Sequence, residues 1–127
     1  MRELAAPLGS AAMERALFVV SGVYGFLAVA LGAFGAHALR PVFARAADAA
    51  KRLEWWQTAS HYHLAHSGAI LIAAGAKQPL PAALFAAGTL LFSGSLYALV
   101  LSGYKALGAV TPVGGLLLTA GWLALLL

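Results

Sequence analysis

Apolar positions in this chain do not alternate with polar ones; they run in long blocks broken by short polar stretches. Four blocks, over residues 16–39, 58–76, 81–101 and 107–127, are long enough to cross a bilayer core. That core is about 30 Å thick and takes roughly 20 residues of helix at about 1.5 Å each. Each block is continuously apolar, whereas a membrane barrel strand alternates over about 10 residues, so the spans are predicted as helices. The fold class that follows is all-α: an integral membrane four-helix bundle forming a single domain over residues 16–127.

The polar stretches set the rest of the layout. Residues 1–15 mix Arg2, Glu3, Pro7, Gly9 and Ser10 without a period and read as a flexible N-terminal tail, within which Met13 offers an alternative start. A secretory signal reading of the first block has Arg2 and Arg15 ahead of it and Ala28-Val29-Ala30 as a small-residue cleavage site. The block runs on to Leu39, past the about 7–15 residues of a signal core, which favours a retained span. Between the first two spans, residues 41–56 place Val42, Phe43, Ala46, Ala49, Leu53 and Trp56 at helical spacing, with Arg45, Asp48 and Arg52 on another face. An amphipathic interfacial helix is predicted there, started by Pro41, with Asp48 and Arg52 one turn apart and Trp55 and Trp56 at headgroup level.

Lys77 to Pro79 and Ser102 to Lys105 are predicted as tight turns, which makes consecutive helices antiparallel. Arg2, Arg15 and Lys77 then fall on one side of the membrane and Arg40, Arg45, Lys51, Arg52 and Lys105 on the other. The positive-inside rule puts the richer side in the cytoplasm and both termini outside it. The fourth block contains Thr111-Pro112-Val113-Gly114-Gly115. Two outcomes are open: a helix from near Leu107 that kinks at Pro112, or a short helix capped by Thr111 after backbone sheltered by protein. The terminal carboxylate of Leu127 is expected at the membrane surface.

Composition agrees with a lipid solvent. Of 127 residues 62% are hydrophobic and 9% charged, against about 45–50% and about 25% in soluble domains. The net charge of +4 lies at the flanks of the spans, the ordinary membrane pattern, and forms no basic stripe interleaved with aromatics, so nucleic-acid binding is not expected. With no cysteine, disulfides, thiolate metal sites and thiol catalysis are excluded.

In lipid, helices associate through small residues that let backbones approach. Ser21, Gly25, Ala28, Gly32 and Gly35 recur at alternating spacings of four and three along one face of the first span, predicting left-handed packing on a neighbour. Gly88, Ser95 and Ser102 form a similar stripe on the third span. A Gly-rich phosphate cradle needs a strand before it, and none is predicted.

Candidate chemistry lies in the polar groups within the spans, since hydrocarbon makes them costly and turns them inward. Tyr62 pairs with His66, and His63 with Ser67, at one-turn spacing on the second span; Thr89, Ser93 and Tyr97 share a face of the third. His37, near the end of the first span, is expected to meet the turn from His61 to His66 near one membrane surface. Such histidines suit metal or haem ligation or proton passage. No His-Glu-x-x-His pattern or intramembrane carboxylate completes a hydrolytic site. Phe92-Ser93-Gly94-Ser95 lacks a nucleophile's strand-turn-helix setting, and a proton-coupled exporter lacks its membrane carboxylate.

Several segments taken together carry a resemblance: Gly32-Ala33-Phe34-Gly35-Ala36-His37, Trp56-Gln57-Thr58 leading to Tyr62 and His66, Phe92-Ser93-Gly94-Ser95-Leu96-Tyr97, Thr111-Pro112-Val113-Gly114-Gly115 and Gly121-Trp122. The chain resembles, from about residue 16 onward, the YgdD family of small four-span membrane proteins, a domain of unknown function. The resemblance implies a bacterial inner (plasma) membrane location and picks out His37, Tyr62, His66, Ser93, Ser95, Tyr97, Thr111 and Pro112 as a functional polar cluster. His61 and His63 fall outside its pattern. The function expected is that of a non-enzymatic accessory or interaction subunit, without catalytic residue, metal or cofactor, whose partners are membrane lipid and a membrane protein or second copy. The alternative is a small transporter or channel with a polar path at His37, Tyr62 and His66, walled by Thr89, Ser93 and Tyr97 and opened at Thr111-Pro112. A third reading makes the histidines axial haem ligands.

Overall fold

In the computed structural model, which describes residues 8–127 and side chains from residue 11 onward, the apolar blocks are helices. α1 (Leu8–Phe34) passes through a π-helical turn (Gly35–Leu39) into the short α2 (Arg40–Phe43). α3 (Ala49–Gly75), α4 (Pro79–Ser102), a 3₁₀ turn (Lys105–Ala109) and α5 (Thr111–Ala124) follow. Among the described residues, Ala11–Phe43, Pro79–Ser102 and Lys105–Ala124 are long and apolar enough to cross a membrane. α3, with 27 residues, has the length but carries Lys51, Arg52, Glu54, Gln57 and three histidines.

Two expectations change. Residues 8–15 of the expected tail are helical, continuous with α1, while residues 1–7 lie outside the described residues. The separate interfacial helix over residues 41–56 is divided: its beginning prolongs α1 through α2, residues 44–48 form turns, and Ala49 to Trp56 open α3. Arg52 anchors the dividing segment to a distant helix. Arg52 holds Asp48 through Nε at 3.0 Å, the one-turn contact expected, but its Nη1 also donates to the Val100 carbonyl at 3.0 Å. The segment is thereby tied to the carboxyl end of α4, where a cation favours the helix dipole. The guanidinium hydrogen bond holds the Asp48 carboxyl below the usual carboxylate range.

The turns use specific backbone chemistry. After α3, Lys77 N–H reaches Ala74 O at 3.1 Å and Gln78 N–H reaches Ala73 O at 2.9 Å, the paired bonds of a Schellman end. Lys77 occupies the left-handed position at φ 59°, where glycine is usual. Gly103 takes the same conformation at φ 71° after α4. The fourth block follows neither outcome in full: its α-helix starts late, but Thr111 makes no side-chain cap and no residue of the preceding turn is buried. The α-helix begins at Thr111, with Pro112 in its first turn, after a 3₁₀ approach.

Each long helix packs chiefly on its neighbour in sequence, α1 on α3, α3 on α4 and α4 on α5, and α1 touches α4 lightly. One apolar cluster joins Leu17, Ile70, Phe85 and Leu118; the other joins Leu39, Trp56, Tyr97 and Val100. Small residues set the approach. The α1 face with Ser21, Gly25, Ala28, Gly32 and Gly35 meets α3: Ser21 Oγ donates to Ser67 O at 2.9 Å, and Gly35 sits under the Trp56 indole, where a Cβ would overlap the ring. The Trp56 Nε1–H donates to Leu31 O at 2.8 Å, a turn before the π-helical segment. On the other side, a Cβ at Gly114 would strike the Phe92 backbone.

Substituting glycines separates these roles. Gly22 has nothing within 4 Å of a built Cβ, so Gly22→Ala is expected to hold or raise detergent-solubilised stability by about 0.5–1 kcal/mol. Gly114→Ala is expected to lose about 1–3 kcal/mol through overpacking. Lys77→Gly, relieving a left-handed lysine, is expected to gain roughly 1 kcal/mol. Thermal melts of the three variants in one detergent test all three values; equal melts for Gly22→Ala and Gly114→Ala contradict the packing assignment.

Candidate functional site

Because α3 starts nine residues before the predicted second span, His61 lies about 18 Å along its axis rather than at its entrance. The turn carrying His37 therefore meets α3 at Trp56, not at residues 61–66. His37 is exposed and lines none of the spaces between the helices described below. Tyr62 and His66 are brought together, and so are Thr89, Ser93 and Tyr97, but in two different places.

The first place is a groove of about 480 Å³ between α3 and α5, floored by Phe92 and lined by Tyr62, His66, Pro112, Thr119 and Trp122. Its center is His66, which is buried. His66 Nδ1 lies 2.8 Å from the Tyr62 carbonyl, and Trp122 Nε1–H donates to His66 Nε2 at 3.1 Å. A carbonyl only accepts and an indole N–H only donates, so the pair defines a neutral imidazole with its proton on Nδ1. The Tyr62 ring stacks over His66 at 5.8 Å and 9°, and Phe85 lies on its other contacts at 5.6 Å. Both ring nitrogens are engaged, which leaves no lone pair for a metal.

The second place is a cleft of about 170 Å³ between α1, α3 and α4. Thr89, Ser93 and Tyr97 line it, as expected of one face of the third span, but their companions are His63 and Tyr24. His63 Nδ1 is 3.1 Å from Tyr97 Oη, Ser93 Oγ donates to Ala59 O at 2.7 Å, and Tyr24 Oη donates to Ala86 O at 3.0 Å. The wall predicted for His37, Tyr62 and His66 thus belongs to His63 instead. Tyr24 escaped the sequence reading, although it lies one turn before Ala28 and one after Ser21, beside the small-residue face.

Ser95 and Thr111 face each other apart from both places. Their hydroxyls are 2.6 Å apart, and Ser95 Oγ also reaches Phe92 O at 3.0 Å. Thr111 ties the start of α5 to α4 and makes no cap to its own helix. Pro112 occupies the first turn, where its missing N–H leaves no backbone donor unpaired. Among the described residues no group of three or more His, Cys, Asp or Glu side chains is placed to hold a metal ion.

Comparison with known proteins places these residues in a family context. Residues 31–115 match the model described as Protein of unknown function (DUF423). The chain is 41% identical over 120 residues to the UPF0382 inner membrane protein YgdD of Escherichia coli K12, covering 89% of this chain and 88% of that one. It is 37% identical over 118 residues to the UPF0382 membrane protein SAB0533 of Staphylococcus aureus, covering 87% and 93%. To the UPF0382 membrane protein YwdK of Bacillus subtilis it is 36% identical over 116 residues, covering 84% and 90%. No solved structure is similar.

The His63 and Tyr97 contact is open to a double-mutant cycle. His63→Phe, Tyr97→Phe and the pair, unfolded reversibly in bicelles, are expected to give a coupling near about 0.6 kcal/mol and below about 1.7 kcal/mol. Additive single effects would show that the two rings only touch.

Proposed function

The chain belongs to the DUF423 family, named among its relatives as UPF0382 membrane proteins, and from that membership we propose a non-enzymatic accessory or interaction subunit of a bacterial inner membrane. In this reading α3 is the fourth span. Its His63, His66 and Ser67 are buried among the neighbouring helices, while Gln57, His61 and Tyr62 stay exposed, and its 27 residues exceed the about 20 that a bilayer core requires. The excess puts Ala49 to Trp56 at the headgroup level, where the amphipathic segment was expected.

The observation carrying the reading is the use made of the polar groups. Ser21, Ser93, His63, His66, Ser95 and Thr111 pair with a neighbouring helix through side chain or carbonyl, as helix-joining groups do. Tyr62 and His66 share the α3–α5 groove, but His37 lines neither that groove nor the cleft between α1, α3 and α4. The surface offered to a partner is the α3–α5 groove, where Tyr62, Leu116 and Trp122 are exposed and a tryptophan and tyrosine provide anchors for a transmembrane helix.

Two measurements test this. Purification from native membranes in mild detergent, followed by mass spectrometry, is expected to recover a stoichiometric membrane protein that Thr119→Trp releases by filling the groove. Recovery of the bare chain from intact native membranes contradicts the accessory role. Since the chain has no cysteine, single cysteines report topology without background. Ala47→Cys and Tyr104→Cys are expected to react with impermeant maleimide from the cytoplasmic side and Gln78→Cys from the opposite side. Labelling of all three from one side eliminates the four-span arrangement.

A further inference from the structure

One side of α3 is covered and the other is bare. Ala59, His63 and Ser67 are buried against α1 and α4, while Gln57, His61, Leu64, Gly68, Leu71 and Gly75 are exposed. The exposed residues follow one another at spacings of four, three, four, three and four, the heptad rhythm that keeps one line of a helix against a neighbour. A Cβ built at Gly68 or Gly75 meets nothing within 4 Å, so this line is open to the approach of a second backbone.

The line is not apolar throughout. On the membrane placement proposed above, Gln57 lies just below the headgroups and His61 about 6 Å deeper. Neither side chain takes part in a hydrogen bond among the described residues, whereas Ser21, His63, His66 and Ser93 all do. With Leu64 they border an open groove of about 410 Å³ against Gly32 and Ala33 of α1. Acyl chains offer neither donor nor acceptor, and polar side chains within a span ordinarily face protein.

The chemistry of the line selects what covers it. A carboxamide donates through its N–H groups and accepts through its oxygen, and a neutral imidazole donates at one nitrogen and accepts at the other. Each is therefore satisfied by its own kind at the same depth. A second copy inserted in the same direction supplies this by symmetry: about a two-fold axis along the membrane normal, residues of a heptad line face their own counterparts. An apolar helix or a lipid chain leaves Gln57 and His61 unpaired. Glu54, which continues the line, lies at the headgroup level, where salt and water screen it from its counterpart.

We propose that the chain forms a parallel dimer in which the α3 helices of two copies pack left-handed along this line, Gln57 and His61 each hydrogen-bonding its counterpart and Gly68 and Gly75 giving the closest approach. The face is separate from the α3–α5 groove. The proposal rests on α3 being a span, which the maleimide labelling tests on its own.

Disulfide crosslinking in native membranes is the first test, since the chain has no cysteine. Leu64→Cys, Gly68→Cys and Leu71→Cys are expected to give a dimer of twice the chain's mass on oxidation, while Leu90→Cys on α4 and Leu123→Cys on α5, also exposed positions, stay monomeric. Energy transfer between copies labelled at the amino terminus, in liposomes, then measures affinity. Gly68→Leu fills space that is empty in the single chain, so it is expected to keep the monomer's melting temperature in dilute detergent and to lose the transfer. Gln57→Leu and His61→Leu are each expected to weaken the dimer about three- to fifteenfold, the range of interhelical hydrogen bonds in membranes. The proposal is overturned by the lack of a disulfide dimer at all three α3 positions, by one at Leu90→Cys as strong as theirs, by crosslinking from α3 to a protein of another mass instead, or by transfer undiminished in folded Gly68→Leu.

Discussion

Everything in this bundle depends on α3 finding partners for its polar atoms on both sides. Lipid gives helices no reward for hiding apolar surface from each other, so an alignment is selected by where hydroxyls, ring nitrogens and carbonyls meet. Ser21 of α1 donates to a carbonyl of α3, Trp56 of α3 to a carbonyl of α1, and Ser93 of α4 to another carbonyl of α3. Those carbonyls use a second lone pair without leaving their own helices. Individually such bonds are worth about 0.6 kcal/mol in membranes. They act together with the glycines, because a hydroxyl reaches a neighbouring backbone only where small side chains let two backbones draw near.

The same logic differs on the two flanks of the central pair. On the α1 side, the tightest place is an indole lying against Gly35, and hydroxyl contacts continue up the face. On the α5 side, the backbones themselves come close at Gly114 against Phe92, and Gly121 lies against the Phe85 ring. Leucine at 118 fills the space over Gly88. This second seam needs the α-helix of the fourth block to begin where it does, at Thr111, since that places Gly114, Leu118 and Gly121 on one line.

Much of the architecture is legible in the sequence because apolar block length, turn residues and small-residue spacing each have one physical meaning. The positions of Lys77 and Gly103 at the ends of helices, the α1 face and the contact of Asp48 with Arg52 all follow from such local rules. The start of α3 does not. An amphipathic stretch with tryptophans and arginines looks the same whether it lies flat on a membrane or opens a span. What decides is whether a distant group, here the Val100 carbonyl, takes the arginine. That one shift moved His61 to His66 deeper and removed His37 from their company, so the polar path drawn from helix ends dissolved into two separate places. The family resemblance pointed toward His66 and away from His63, and geometry gives each a distinct site: one engaged at both ring nitrogens, one bonded through Nδ1 to Tyr97.

Sequential packing also bears on how the chain is made. As synthesis proceeds, each helix finds its main contact in the one that has just left the ribosome: α3 against α1, α4 against α3, α5 against α4. α3, the least apolar of the four long segments, would be a poor passenger if released into lipid alone. It emerges with α1 already beside it, ready to donate from Ser21 and to accept the Trp56 indole N–H, and gains its second cover only with α4. On the four-span reading proposed above, α3 is held through the synthesis of the next helix, and α1, α3 and α4 enter the bilayer as a group rather than one by one.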